Sequence, residues 1–200
     1  MSRHKRYPVR IPRHVRGIRA QEARAGGEWT WWTDEWVRRL EDMGMKGRFG
    51  RARNYAAQGQ VMSVEIDGGK VYARVQGTRP DPYDVTLDFR RPDATVLSRI
   101  VTAIRSEPIL VARIAADDLP LEVGEIFRRE GCDLFPGGKL TDAPDGRKYD
   151  MVSSCSCPDY ANPCKHSCAV LMILGEEIAR RPATLLELRG ITMEALCGED

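Results

Sequence analysis

The chain has 200 residues, of which 42% are hydrophobic and 30% are charged. This length is enough for one sizeable core or two modest ones, and it excludes a miniprotein that depends on disulfide bonds for its stability. The longest apolar run, from Ala169 to Leu174, is much shorter than the roughly 18 residues of a membrane-spanning helix. We therefore expect no membrane partner.

The N-terminus is basic and has no apolar segment of the kind that a secretory signal needs. We expect the protein to stay in the cytoplasm, where cysteines are reduced. Four of the six cysteines fall between Cys155 and Cys168. Reduced cysteines at such short spacing are typical of metal ligands or redox groups rather than of disulfides.

The net charge of +2 hides an uneven distribution along the chain. Residues 1–24 carry eight Lys or Arg and a single acid, Glu22, so this segment has a net charge of +7 against −5 for the rest. Prolines and glycines interrupt the segment, and it has neither a helical nor a strand period. This pattern predicts a flexible basic arm over residues 1–27 without a core of its own.

A basic arm on a mildly acidic body favours a polyanionic partner, either DNA or RNA. Binding would come from sequence-independent and salt-sensitive neutralisation of phosphates. An equally weighted alternative is that the arm serves solubility or anchors the protein on an acidic surface of a protein partner. The residues predicted to contact phosphates are Arg3, Lys5, Arg6, Arg10, Arg13, Arg16 and, outside the arm, Lys165.

Two short helices are predicted after the arm. Thr33 or Asp34 can cap a helix over residues 34–43, which carries an apolar stripe and ends at Gly44. A second helix over residues 48–58 has a narrow apolar face. Its arginines are interpreted as a solvated face in preference to a binding patch.

All four tryptophans lie within eight positions, in the sequence WTWWTDEW. Apolar residues at a helix start usually pack onto the core, so we predict a core position for Trp36. Exposed indoles can instead stack on unpaired bases or dock a protein. This alternative stays open for Trp31 and Trp32.

Three runs, at residues 62–66, 71–75 and 85–89, alternate between apolar and polar side chains, as strands do. The turn sequence DGG at residues 67–69 joins the first two runs, so an antiparallel meander is predicted. The apolar positions expected to share one face of the first strand are Met62, Val64 and Ile66.

After the meander, the spacing of apolar residues changes to that of a helix. An apolar stripe from Val96 to Ile104 predicts a helix with Asp93 as its cap, and Pro108 ends it and starts another that runs through Ala116. A third helix is predicted over residues 121–130.

A loop rich in Gly, Pro and Asp occupies residues 136–150 and is the best candidate for a boundary within the chain. The predicted regions are therefore the arm, an α+β region over residues 28–136, and a C-terminal region over residues 137–200.

The candidate metal ligands lie in one short segment, CSCPDYANPCKHSC. Cys155 and Cys157 are followed, after six residues, by Cys164 and His166, and Cys and His are the usual ligands of tetrahedral Zn²⁺. Alternate residues of a strand share a face, so a strand over residues 151–157 would aim two thiolates at one point. A helix that begins at Cys164 would place its positive end beside the thiolates. The segment predicts one zinc ion held by these four residues.

The spacing C-x-C-x6-C-x-H, with C-P-D before the loop and N-P-C-K-H after it, resembles the bacterial SWIM zinc finger family. The upstream sequences R-A-R-N-Y-A-A-Q-G-Q-V and V-Q-G-T-R-P-x-P-Y are similar to the region that precedes the finger in those proteins, so the resemblance covers the chain from Trp29 onwards. It implies a small ββα-like module, of the kind found beside Swi/Snf-type ATPases and in Mutator-type transposases. It also implies binding to DNA or to other proteins, in association with a helicase-like ATPase.

The other cysteines are interpreted as thiols without a metal. Cys168 lies four residues after Cys164 on the same helix face and could compete as a ligand, but the ligand set is complete without it, so we predict a core position. Cys132 and Cys197 have no Cys or His neighbours at ligand spacing and are read as structural or incidental.

We predict that the zinc is structural and that the protein is not an enzyme. A catalytic zinc usually keeps three protein ligands and an open position for water, whereas four ligands complete the shell here. Asp159, inside the ligand loop, is interpreted as a turn residue in preference to a general base. The 200 residues contain no G-x-x-x-x-G-K-[ST] phosphate loop, no G-x-S-x-G elbow and no H-E-x-x-H pair.

The complete prediction is an α+β protein with a helical pair, a small antiparallel β-meander, a helical middle and a C-terminal ββα-like SWIM zinc finger. Its predicted function is a nucleic-acid-binding or adaptor module that works with a Swi/Snf-type helicase ATPase. The alternative is a pure protein-interaction subunit without nucleic-acid contact. A third hypothesis, a thiol redox switch in which oxidation releases zinc, is less favoured.

Overall fold

The structure is a computed structural model that describes residues 11–20, 30–45, 48–137, 146 and 148–198. Its helices are α1 (Trp31–Leu40), continued by a π-helical turn (Glu41–Met45), α2 (Phe49–Ala57), α3 (Ala94–Arg105), α4 (Pro108–Ala115), α5 (Leu121–Arg129), α6 (Lys165–Arg180), α7 (Ala183–Leu188) and α8 (Met193–Cys197). Its strands are β1 (Val61–Asp67), β2 (Lys70–Val75), β3 (Tyr83–Phe89) and β4 (Met151–Cys155). None of the described helices is both long enough and apolar enough to cross a membrane.

The four strands form one antiparallel sheet in the order β1-β2-β3-β4. The first three strands are the predicted meander. Strand β4 comes from the cysteine-rich segment and pairs with β3, so that Val85 lies opposite Cys155 and Phe89 opposite Met151. Backbone hydrogen bonds therefore join the C-terminal segment to the upstream region, while the division at residue 137 stays a prediction.

The first strand differs from its prediction at one position. The pairing register of β1 and β2 shifts between Val61 and Ser63. Val61 is fully buried, and Met62 has 39% of its surface exposed. An extra residue in one strand reverses the alternation of its side chains at that point. The prediction that Met62 shares a face with Val64 and Ile66 is therefore wrong.

Helix α6 lies at the centre of the molecule. It packs against α1, α2 and β3. Nine of its residues are buried, as expected of a helix covered on most of its faces. One apolar cluster runs from Trp32 to Leu196, so the C-terminal segment and the upstream region share a core.

The tryptophans of α1 belong to this core. Trp36 is 2% exposed and Trp32 is 7% exposed, which confirms the prediction for Trp36. The Trp31 indole N–H donates to the carbonyl of Leu119 at 2.8 Å, and its ring lies edge-on to Phe135. These contacts leave Trp31 and Trp32 with structural roles.

The predicted helices of the middle region are confirmed. The Asp93 carboxylate accepts the N–H of Val96 at 2.9 Å and caps α3, and Pro108 is the first residue of α4. Helix α1 starts earlier than predicted because the Thr30 carbonyl accepts the N–H groups of Thr33 and Asp34, which closes an additional first turn.

Part of the predicted arm lies along the free edge of β1. Within residues 11–20, Ile18 forms an isolated antiparallel bridge with Val61, and its N–H donates to the carbonyl of Val61 at 2.7 Å. A Cβ on Gly17 would lie 2.2 Å from the Val61 oxygen, so this close approach requires glycine. The rest of the predicted arm, residues 1–10 and 21–27, lies outside the described residues.

Candidate metal centre

The four predicted ligands meet between the end of β4 and the start of α6. Strand β4 ends at Cys155, and Cys157 follows two residues later. Cys164 is the N-cap of α6, and His166 lies in its first turn. One ligand atom from each of these residues lies within 4.8 Å of the other three.

The distances match a tetrahedral zinc site. The Nδ1 atom of His166 lies 3.8 Å from the Cys155 Sγ and 3.7 Å from the Cys164 Sγ. Zn–S bonds of about 2.3 Å and Zn–N bonds of about 2.0 Å place sulfur and nitrogen about 3.5 Å apart across a tetrahedron. The side chains therefore fit one zinc ion, with His166 binding through Nδ1.

A family model of the SWIM zinc finger matches residues 148–175, the segment that contains all four ligands. The chain contains a SWIM zinc finger. The SWIM finger is a structural zinc module, and here Cys155, Cys157, Cys164 and His166 are positioned to bind a single zinc ion.

A relative is known from Mycobacterium tuberculosis (strain ATCC 25618 / H37Rv), where it is named Uncharacterized protein Rv2102. The two chains are 33% identical over 190 residues, which are 94% of this chain. This chain spans 65% of the relative's length. No solved structure gives a significant match.

The ligand loop of the SWIM finger, residues 156–163, is held to the sheet at both of its ends by hydrogen bonds. After Cys155, the N–H of Ser156 donates to the Asp84 carbonyl at 3.0 Å. Before Cys164, the amide of Asn162 donates to the Ser153 carbonyl at 2.7 Å and accepts from the Ser153 hydroxyl. The loop therefore returns to the strand from which it started.

Inside the loop, the Asp159 carboxylate accepts the N–H of Ala161 at 3.2 Å. An Asp side chain that bonds its own backbone two residues later is a turn-forming group. This contact agrees with the predicted turn role of Asp159.

The SWIM finger holds its thiols in different electrostatic surroundings. A hydrogen bond from the Cys155 thiol lowers the pKa of Cys164, and His166 and the backbone N–H of Ser167 lower it further. The same Cys155–Cys164 hydrogen bond, together with burial, raises the pKa of Cys155. The Cys155 thiol and the start of α6 therefore favour a thiolate at Cys164, the form that binds zinc.

Cys168 is fully buried in the core, as predicted. Burial is the main reason why its pKa rises to about 11, and the charge of Cys164 adds to the effect. Cys132 is half-buried and its thiol lies 3.5 Å from the Phe127 carbonyl, while Cys197 is exposed. None of the three belongs to the described metal-binding group.

Two tyrosines next to the SWIM finger were not predicted as part of the site. The Tyr83 ring lies 4.6 Å from the His166 ring, and the Tyr55 ring lies 5.1 Å from it. Tyr55 lies inside R-A-R-N-Y-A-A-Q-G-Q-V and Tyr83 ends V-Q-G-T-R-P-x-P-Y, the two sequences that resemble the region upstream of the finger. The aromatic residue in each sequence was the available signal.

The predicted phosphate contacts are partly described. The Lys165 ammonium lies 5.8 Å from the centre of the Tyr55 ring, next to the ligand His166. Arg13 and Arg16 are exposed on the segment along β1. The others, Arg3, Lys5, Arg6 and Arg10, lie outside the described residues.

Proposed function

We propose that the protein is a nucleic-acid-binding module whose surface is organised by the structural zinc of its SWIM finger. The observation that carries this proposal is a pair of neighbouring basic segments, residues 11–20 and 48–60, neither of which contains Asp or Glu. The arginines of the two segments are Arg13, Arg16, Arg19, Arg48, Arg51 and Arg53.

Backbone hydrogen bonds hold the two segments side by side. The N–H of Gly17 donates to the Gly59 carbonyl and the N–H of Ala20 donates to the Ala56 carbonyl, both at 3.0 Å. The segment that carries Arg13 and Arg16 is therefore placed against the end of α2. Basic side chains from both segments can then follow one phosphate backbone.

The ligand loop contacts one cation of the second segment and is followed by another beside it. The Arg48 guanidinium donates to the carbonyl of Pro163, which immediately precedes the ligand Cys164. Lys165 follows Cys164 and lies over Tyr55, a residue of α2. Loss of the metal would therefore displace part of the basic surface, which links the structural zinc to binding.

Fluorescence anisotropy of labelled single-stranded DNA, single-stranded RNA and duplex DNA, measured over a salt series, tests the proposal. The zinc-loaded protein should bind at low salt. The slope of the logarithm of its binding constant against the logarithm of salt concentration should report the number of phosphates that it contacts. The Arg13→Ser/Arg16→Ser variant should lower this slope by about 2. The matched control is Arg128→Ser/Arg129→Ser, which removes the same charge from exposed positions on α5.

Equal slopes for both double variants would contradict the role of residues 11–20. No binding to any of the three nucleic acids would contradict the whole proposal and favour the alternative, a protein-interaction subunit without nucleic-acid contact. The same titration of the Cys164→Ser variant should show weaker binding, because Arg48 and Lys165 lose their positions.

We also propose that a helicase-like ATPase is a protein partner of this chain, and that the chain itself has no enzymatic activity. The resemblance to SWIM proteins implies this partner, and none of the 200 residues forms a phosphate loop for ATP. If the proposal holds, adding the protein to a Swi/Snf-type ATPase from the same cell should change nucleic-acid-stimulated ATP hydrolysis. The protein alone should hydrolyse no ATP.

A further inference from the structure

The ring of His166 lacks the contact that usually orients a zinc-bound histidine. Its Nδ1 atom faces the thiols, so its Nε2 atom points away from them. This Nε2 atom is buried and has no hydrogen-bond partner among the described atoms. Metal-binding histidines almost always donate their second N–H to an acceptor, which fixes the orientation of the ring. Another contact must therefore fix the ring here.

Two aromatic contacts can replace that hydrogen bond. The Tyr83 ring lies against the His166 ring at a centroid distance of 4.6 Å, with a tilt of 33°. The Tyr55 ring meets it at 5.1 Å and 69°, in an edge-to-face arrangement. Both tyrosines are less than 9% exposed. Aromatic rings packed at these distances restrict rotation of the imidazole and leave Nδ1 facing the metal.

The position of Tyr83 depends on Gly77. A Cβ on Gly77 would lie 2.3 Å from the Tyr83 Cε2 atom, so any other residue would push the ring away. The backbone angle φ of Gly77 is not positive, so the requirement is steric rather than conformational.

The loop that carries Gly77 is held in place by its own hydrogen bonds. The Gln76 amide, which is buried, donates to the carbonyls of Gly77 and Arg79 at 3.2 and 2.7 Å. The N–H of Arg13 also donates to the Gly77 carbonyl, at 2.9 Å. The loop is therefore a fixed support for Tyr83.

We propose that Tyr83, placed by Gly77, is a positioning residue for the zinc ligand His166, so that the zinc site extends beyond the finger. The ligands come from residues 148–175, and the support of the histidine comes from β3, the loop before it and α2. The segment of the SWIM finger alone therefore lacks part of what orients its ligand. This inference concerns zinc binding and does not depend on whether the protein binds nucleic acid.

The test is zinc affinity of the full chain, measured by competition with a chromophoric chelator. Gly77→Ala and Tyr83→Leu should each weaken zinc binding about 10- to 100-fold, the usual effect of losing an outer contact of a metal ligand. Tyr83→Phe keeps the ring and should bind zinc as the unmodified protein does. Matched controls are Gly50→Ala, where an added Cβ meets nothing within 4 Å, and Tyr72→Leu, a tyrosine that is 43% exposed.

Cobalt substitution supplies a second readout that a general loss of stability does not change. The visible bands of Co²⁺ report the identity and geometry of its ligands. Spectra of Gly77→Ala and Tyr83→Leu should show a distorted or missing histidine ligand, while Tyr83→Phe and both controls keep the original spectrum. If either of the first two variants fails to fold, the other one decides.

Unchanged zinc affinity and an unchanged cobalt spectrum in Gly77→Ala or in Tyr83→Leu would overturn the proposal. A loss of affinity in Tyr83→Phe equal to that in Tyr83→Leu would also overturn it, because the hydroxyl rather than the ring would then be responsible. Neither result would bear on the basic surface, whose test uses nucleic acid.

Discussion

Arg189 binds both carboxylate oxygens of Asp150, at 2.8 and 3.2 Å, in a buried ion pair. Arg189 is 3% exposed and Asp150 is 7% exposed. The same guanidinium donates to the carbonyls of Arg90, Leu134 and Phe135. One side chain therefore joins the C-terminal helices, the end of β3, the segment after α5 and the residue that precedes β4.

Breaking this pair should destabilise the protein strongly. The Arg189→Leu variant leaves the Asp150 carboxylate buried without its cation, and this should lower the free energy of unfolding by about 3 to 5 kcal/mol. Denaturant unfolding of the zinc-loaded protein measures the loss. The control is Arg180→Leu, whose ion pair with Glu177 is solvent-exposed and should be worth less than about 1 kcal/mol. Equal losses in the two variants would contradict a structural role for the buried pair.

Removing one ligand should remove the zinc. Cys164→Ser replaces a thiolate whose ionised form is favoured first by a hydrogen bond from Cys155 and then by His166 and Ser167 at the start of α6. Elemental mass spectrometry should find one zinc ion in the unmodified protein and almost none in the variant after dialysis. Hydrogen exchange should then accelerate in β4 and the first turn of α6, because structural zinc supplies folding free energy.

The control for this variant is Cys197→Ser, which changes an exposed thiol on α8 and should keep the zinc ion. Retention of the full zinc content by Cys164→Ser would show that Cys164 is not a ligand. Unchanged exchange after loss of zinc would show that the metal does not hold this part of the fold.

The Asn162 amide should hold the ligand loop in the position that zinc binding requires. Asn162→Ala removes both hydrogen bonds with Ser153 and releases the end of the loop that precedes Cys164. We expect zinc affinity to fall about 10-fold, as for other contacts that orient metal ligands. Chelator competition measures the change. Asn54→Ala, at an exposed position of α2, should leave affinity unchanged, and an equal effect of both substitutions would contradict the prediction.

Close packing between α6 and α1 should make Gly175 intolerant of a side chain. A Cβ at Gly175 would lie 2.8 Å from the Nε1 atom of Trp36, which is almost fully buried. Gly175→Ala should therefore lower the free energy of unfolding by about 1 to 3 kcal/mol through overpacking. Denaturant unfolding followed by tryptophan fluorescence measures the change. Gly50→Ala has open space around it and should not destabilise, so a stable Gly175→Ala protein would contradict the packing argument.

The sequence alone was sufficient for the zinc ligands. Cys155, Cys157, Cys164 and His166 lie within twelve positions, and a strand end and a helix start are enough to bring them together. The helices of the middle region were predictable for a similar reason. The Asp93 cap and the proline at position 108 act through neighbouring backbone groups, and hydrophobic periodicity reports the buried face of each helix.

Only the tertiary structure showed what surrounds these local features. Tyr83 reaches His166, Arg189 reaches Asp150, and residues 11–20 reach the edge of β1 across long separations in the chain. The tertiary structure was also needed to show the pairing of β4 with β3 and the bulge that turns Met62 outward. Each of these contacts depends on which surfaces meet after folding. The periodicity of a single sequence shows which side chains are buried, but it does not show which residues they will contact.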